Sequence, residues 1–365
     1  MKLRHYDEND IRLDSMLDQM KLVDGIDFDA LEKNDAIKTY KVTMPTDEFG
    51  FLHEAAIIGF KGVLYASWYN CVKTELQGLT PIRGAKSFDG GKTWTSPEII
   101  AEDPTGKILF CPPVYGIDDG KLYLLLNEMV SADHMHALDI FVLNESTGKF
   151  DFLRTMPIPF KLNTNVYSMN NGKLLLPGRI AEPDGFPNTP AVLISDSGRI
   201  DSDWRLVKIM ENDDLPDGSH LVHPEISALI DGENLLIFCR DDLRRVPLVF
   251  ISRDFGETWS APIATDIPFS NSKIYSGTLS DGRNYVIGNR APDRTRLMML
   301  ISQPGKWLFD KAIMLQNGVG ELGFGTAWHY PAAYESDGKL FIIYTVETGN
   351  GQRGSVVSVV DTQMI

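Results

Sequence analysis

Arg179, Arg240 and Arg290 each follow a turn glycine by seven or eight residues, while His53, His223 and His329 each precede one by nine. Shared offsets matter in a repeating chain, because equivalent positions then meet in space. Convergent arginines taken out of water need anions, and the planar guanidinium fork fits a carboxylate through two parallel hydrogen bonds. The chemistry they point to is capture of an acid group on a substrate; salt bridges between repeats would use the same residues. An imidazole near neutral pH gives or takes a proton, so three histidines at one repeat position, out of seven in the chain, suit acid–base work. A lone histidine at a strand start is otherwise a structural residue.

The elements that must position these residues are short β-branched and aromatic runs broken by Gly, Asp and Asn from Ile37 onward, an all-β texture. A turn glycine followed by an apolar strand recurs at Gly62, Gly120, Gly172, Gly232, Gly282 and Gly338. The intervals are 58, 52, 60, 50 and 56 residues, which divides the chain into six units of about four strands each. The stretch Ser87-Phe88-Asp89-Gly90-Gly91-Lys92-Thr93-Trp94 tracks the same register and reads S-x-D-x-G-x-T-W. It recurs at Ser252-Arg253-Asp254-Phe255-Gly256-Glu257-Thr258-Trp259, with decayed copies near Asn144, Ser195 and Ser302. Its Asp and hydroxyl groups can hydrogen-bond the turn backbone, its Gly supplies a positive φ, and its Trp covers the turn.

Six such units predict a six-bladed β-propeller of four-stranded antiparallel blades over residues 37–365. The last unit lacks a strand, which Ile37–Met44 supplies by closing the ring. Residues 1–36 form a separate N-terminal extension, with a short amphipathic helix expected near 8–21 from the spacing of Ile11, Leu13, Met16, Leu17 and Met20. In a ring, blade four lies across from blade one. His53, His223 and His329 are therefore too far apart for a shared zinc ion, and neither metal nor cofactor is expected.

The net charge of −15 argues against nucleic-acid partners and an acidic membrane surface, but not against a basic pocket within an acidic shell. Cys71, Cys111 and Cys239 offer no disulfide framework. With no apolar leader, the expectation is a cytoplasmic protein, its oligomeric state undetermined. Trp68 and Trp328 are placed either to stack on a ligand ring or to fill the core, and Arg244-Arg245 are expected on a surface hairpin.

The S-x-D-x-G-x-T-W turn resembles the Asp-box, or BNR repeat, of sialidases, a superfamily whose six-bladed scaffold the repeat register matches over nearly all of residues 37–365. Sialidases carry an arginine triad for the substrate carboxylate, a tyrosine nucleophile assisted by a glutamate, and an aspartate acid/base. The stretch from His223 to Arg240 resembles the family's E-P-Q-x-x-E-L-x-D-G-x-L-L-L-N-x-R. There Arg240 matches a triad arginine, and His223 occupies the glutamate slot with Glu225 two residues on, on the same strand face. Leu52-His53-Glu54-Ala55-Ala56-Ile57 looks like F-R-I-P-A-L, with His53 in place of the first arginine. Arg290, or Arg294 within an R-x-x-L-like run, corresponds to the third. Tyr330 matches the nucleophile, or His329 takes its slot, and Glu75 is the only carboxylate in the loop where the aspartate belongs.

The resemblance implies an exo-acting glycoside hydrolase on an acidic oligosaccharide bearing uronic or sialic acid. His223, Glu225, Tyr330 and Glu75 would do the catalysis, and Arg240, Arg290, Arg179, His53, His329 and Arg294 would bind substrate. The alternatives are a lyase of the same fold using His and Tyr as acid and base, and a glycan-binding propeller with no activity.

Overall fold

The computed structural model describes residues 17–34, 36–131, 134–181, 188–318, 325–349 and 351–365. Alternating apolar and small residues build six antiparallel sheets arranged as the blades of a β-propeller. Blade one runs Phe51–Phe60, Val63–Cys71, Ile82–Ser87 and Glu98–Ala101, and blade two runs Leu109–Asp118, Lys121–Ser131, His134–Asn144 and Lys149–Met156. The inner strand of blade three is split into Phe160–Leu162 and Tyr167–Ser168; Leu174–Ala181, Asn188–Ser195 and Arg205–Lys208 follow. Blade four is Ile226–Asp231, Asn234–Cys239, Leu248–Ser252 and Ile263–Thr265, and blade five is Tyr275–Thr278, Arg283–Asn289, Arg296–Pro304 and Phe309–Asn317. Blade six takes Ala327–Ser336, Lys339–Gly349 and Gln352–Asp361 from the C-terminal end of the chain, and its outer strand, Lys38–Thr43, from near the start.

Apolar side chains fill the wedges between sheets. Ile57, Trp68 and Ala85 of blade one pack on Phe341, Ile343 and Val357 of blade six. Trp68 and Trp328 are fully buried, so both belong to the core and neither faces a ligand. Toward the axis the inner strands are joined by polar side chains. Ile226 N donates to Asn163 Oδ1, Tyr115 N to Asn165 Oδ1, and Asn165 Nδ2 to the Ile57 carbonyl. The Ser227 and Ser276 hydroxyls pair at 2.9 Å.

Both S-x-D-x-G-x-T-W turns close as their residue types require. In the second, Gly256 N donates to Ser252 Oγ at 2.8 Å and Thr258 N to Asp254 Oδ1 at 2.9 Å, while Trp259 Nε1 reaches the Gly256 carbonyl. Gly256 has φ +86°, which only glycine adopts cheaply, and a Cβ there would stand 3.1 Å from Leu235.

Two expectations need correction. The first concerns the helix near 8–21: residues 8–16 lie outside the described residues, but Asp18–Met20 form a strand. It pairs in parallel with Ile263–Thr265, because the outer edge of blade four offers unpaired backbone groups. The segment then runs on along blade five, where Leu22 and Val23 are buried and bridge to Phe309. The second concerns Arg244, which is buried and not on a surface hairpin. Its guanidinium is ion-paired with Asp217 and, at 2.5 Å, with Asp241, since a cation removed from water is retained only beside anions.

Candidate active site

Five blades send side chains into one hollow of about 410 Å³ around the axis. Blade one contributes His53, Glu54, Glu75 and Leu76; blade three, Lys161 and Arg179; blade four, His223, Glu225 and Arg240. Blade five contributes Arg294, and blade six Tyr330 and Arg353. Five cations thus face three carboxylates inside a protein whose net charge is −15. That inversion of sign attracts anions.

Backbone irregularity aims several of these groups. The ladder of blade one slips between His53 and Ala56, and that of blade six between His329 and Ala332. At these bulges Glu54 and Tyr330 take φ of +48° and +54°, which costs non-glycine residues energy and concentrates at functional sites.

Arg240 organises the centre. Its Nη1 donates to Glu225 Oε2 at 2.9 Å and to the Tyr330 hydroxyl at 3.0 Å, and its Nη2 donates to Asp242 Oδ1 at 2.5 Å. Burial works against the charge of Glu225, but Arg240, Arg179 and Lys273 outweigh it and hold the carboxyl down at about 2. Burial, reinforced by Glu225, pushes the Tyr330 phenol well above its usual range. At rest the proton therefore sits on Tyr330 and Glu225 is a carboxylate.

Around this centre, Lys273 Nζ pairs with Glu54 Oε2 at 2.8 Å, and the Tyr69 hydroxyl donates to Glu75 Oε1 at 2.8 Å. His53 lies with its ring centroid 4.1 Å from that of Tyr330 and its Nδ1 3.1 Å from the Thr345 hydroxyl. Burial, then the charge of Arg353, lowers its pKa far enough to keep it neutral. His223 receives an Asp242 carboxylate oxygen on its backbone N–H and has its Nδ1 3.4 Å from the other oxygen.

The structure brings together His53, Glu75, Arg179, His223, Glu225, Arg240, Arg294 and Tyr330 among the residues singled out from the sequence. His329 stands behind the lining. Its Nδ1 is 3.0 Å from Arg294 Nη1, and because arginine can only donate, this nitrogen accepts. Arg290 is placed elsewhere, contrary to expectation: its Nη2 bonds Asp29 at 2.8 Å and its guanidinium lies over Phe28. The N-terminal segment supplies the anion and the ring that it needs, and Arg294 is the arginine of blade five that lines the hollow. Glu54, Lys161 and Arg353 were not singled out. Lys161 stands eleven residues before Gly172 and Arg353 fifteen after Gly338, so neither falls on the offsets that the histidines and arginines share.

Residues 62–348 match the BNR repeat-like domain. Among solved structures, the fold is similar to a protein of unknown function from Dyadobacter fermentans, with TM-score 0.71 and 14% identity over 89% of this chain and 99% of that one. It is similar to the Hadza microbial sialidase Hz136, with TM-score 0.68 and 13% identity over 87% of this chain and 67% of that one. A Trypanosoma rangeli sialidase gives TM-score 0.65 and 14% identity over 92% of this chain but only 60% of its own length. At these identities the likeness extends to the fold alone. No curated protein sequence matches.

Proposed function

The chain belongs to the BNR repeat-like domain family, and from that premise we propose that it is an exo-acting glycoside hydrolase. Its substrate is an oligosaccharide ending in an acidic sugar, a uronic or sialic acid. The observation that carries this reading is Arg240 Nη1 holding both Glu225 and Tyr330 in a hollow where cations outnumber carboxylates. Arg294 and Arg353 take the sugar carboxylate, with Arg240 at its edge. The Tyr330 oxygen attacks the anomeric carbon while its proton passes to Glu225, and the glycosidic C–O bond breaks as Glu75 protonates the leaving oxygen. Water, deprotonated by Glu75, then displaces Tyr330, which recovers its proton from Glu225. Configuration is retained.

The test is turnover of a panel of aryl sialosides and uronides, followed by trapping with a fluorinated sugar acid of whichever class reacts. The expected results are a sugar adduct on the Tyr330 peptide by mass spectrometry and a loss on the order of 10²–10⁴-fold in kcat for Tyr330→Phe. Ligand binding without turnover of any substrate would overturn the enzymatic reading. A second reading, elimination, is favoured by the uncharged His53 beside Tyr330, a base poised for a proton next to a carboxylate. An ultraviolet-absorbing unsaturated uronate as product would decide for it.

A further inference from the structure

We infer that blade three carries a second anion subsite, built from Lys161 and Arg179, so that the substrate holds two acidic groups on opposite sides of the bond that is cut. This rests on the acidic-sugar reading above and extends it. Lys161 and Arg179 stand directly opposite one another in the ladder between Phe160–Leu162 and Leu174–Ala181. Both are 7% exposed and both line the hollow. Like charges facing each other across a ladder repel, and burial strengthens the repulsion.

The described residues do little to offset it. Arg179 Nη1 is 3.9 Å from Glu225 Oε1, beyond hydrogen-bond distance, and its Nε and Nη1 are buried without a hydrogen-bond partner. Glu225 already bonds Arg240, which is further matched by Asp242. Of the other carboxylates that line the hollow, Glu54 is taken by Lys273 and Glu75 accepts from the Tyr69 hydroxyl. Among the described residues, Lys161 Nζ has no carboxylate within ion-pair distance. Two buried cations left this way are balanced when an anion arrives from outside, and the guanidinium fork with the ammonium beside it suits carboxylate, sulfate or phosphate oxygens alike.

The location fixes what that anion belongs to. In a six-membered ring blade three faces blade six, whose Arg353, with Arg294 of blade five, holds the acid of the terminal sugar and whose Tyr330 attacks its anomeric carbon. The second acid therefore lies on the leaving-group side, as an acidic neighbouring sugar or a phosphate or sulfate ester. Its charge adds binding energy remote from the bond being broken, which can be used to orient that bond.

The experiment compares pairs of probes differing by one anionic group, by calorimetry on the full chain: glucuronic acid against glucuronic acid 1-phosphate, and sialic acid against its α2,8-linked dimer. For the pair whose sugar binds, the doubly charged member should bind about tenfold tighter or better. Lys161→Met should erase that advantage and leave the singly charged probe unchanged, whereas Lys161→Arg should keep it. Equal affinity for both members in the wild-type protein, or a Lys161→Met variant that weakens both equally, would overturn the second subsite while leaving the first reading intact. Should Lys161→Met not fold, Lys161→Gln is read in the same way. Failure of every probe to bind the wild-type protein would remove the acidic-sugar reading and this subsite together.

Discussion

His329 shows how a single side chain can matter without touching a ligand. Burial first, then the Arg294 and Arg353 guanidiniums against a partial offset from Glu347, lower its pKa from 6.5 to about 4. The folded protein therefore holds it neutral while the unfolded chain protonates it below about 6.5. A base with a depressed folded value favours unfolding as pH falls, so this residue removes stability progressively between pH 6.5 and 4, on the order of 3 kcal/mol in all. His329→Gln keeps an acceptor for Arg294 and cannot titrate. The thermal midpoint of that variant should fall less than the wild type's over this window, as measured by calorimetry at successive pH values. At this scale the sequence was legible where a residue sat in a matched motif, as with Arg240 and Tyr330. It misled at Arg290, because an equal offset from a glycine fixes the place of a Cα atom and not the direction of a long flexible side chain. Phe28 and Asp29, some 260 positions away in the chain, decided that direction.

At the level of turns and strands, the repeating box carries no catalytic group and fastens the outer corner of its blade. Gly256 is the point where substitution is costly, since φ +86° strains any side chain and Leu235 stands in the way. Gly256→Ala should destabilise the fold by about 1–3 kcal/mol with kcat unchanged, seen as a shifted urea midpoint. An unshifted midpoint would mean that the turn is not bearing on stability. Strand number and order were readable from glycine spacing because each hairpin needs a positive φ at its turn. The bulges at His53–Ala56 and His329–Ala332 were not, although they aim Glu54 and Tyr330 inward. No residue type marks a bulge unless it is glycine. The edge strand Asp18–Met20 was hidden for a related reason: the apolar spacing around it suits a helix, and only the exposed edge of blade four overrides that preference.

For the molecule as a whole, two features set its behaviour. One is the hollow in which five cations face three carboxylates, set within a protein of net charge −15. The other is ring closure by Lys38–Thr43 against Gln352–Asp361, in register from Lys38 with Val359 to Lys41 with Val356 and then, past a bulge, Thr43 with Ser355. Tyr40→Pro removes a ladder donor opposite Val357 and should leave the edge of blade six open to other chains. The expected outcome is a lower thermal midpoint together with larger species on size-exclusion chromatography. A monodisperse variant of unchanged midpoint would show that closure contributes little.

The same clasp sits in the blade that supplies Tyr330 and Arg353, beside the blade that supplies His53 and Glu54. Tension applied through handles at residues 36 and 365 would bear first on that one seam and peel it strand from strand, while blades two to four, remote from both anchors, stay folded. Ligand capture would then vanish at a load that most of the ring survives, and a bound sugar acid bridging the seam would act as a rivet, raising the force at which it tears.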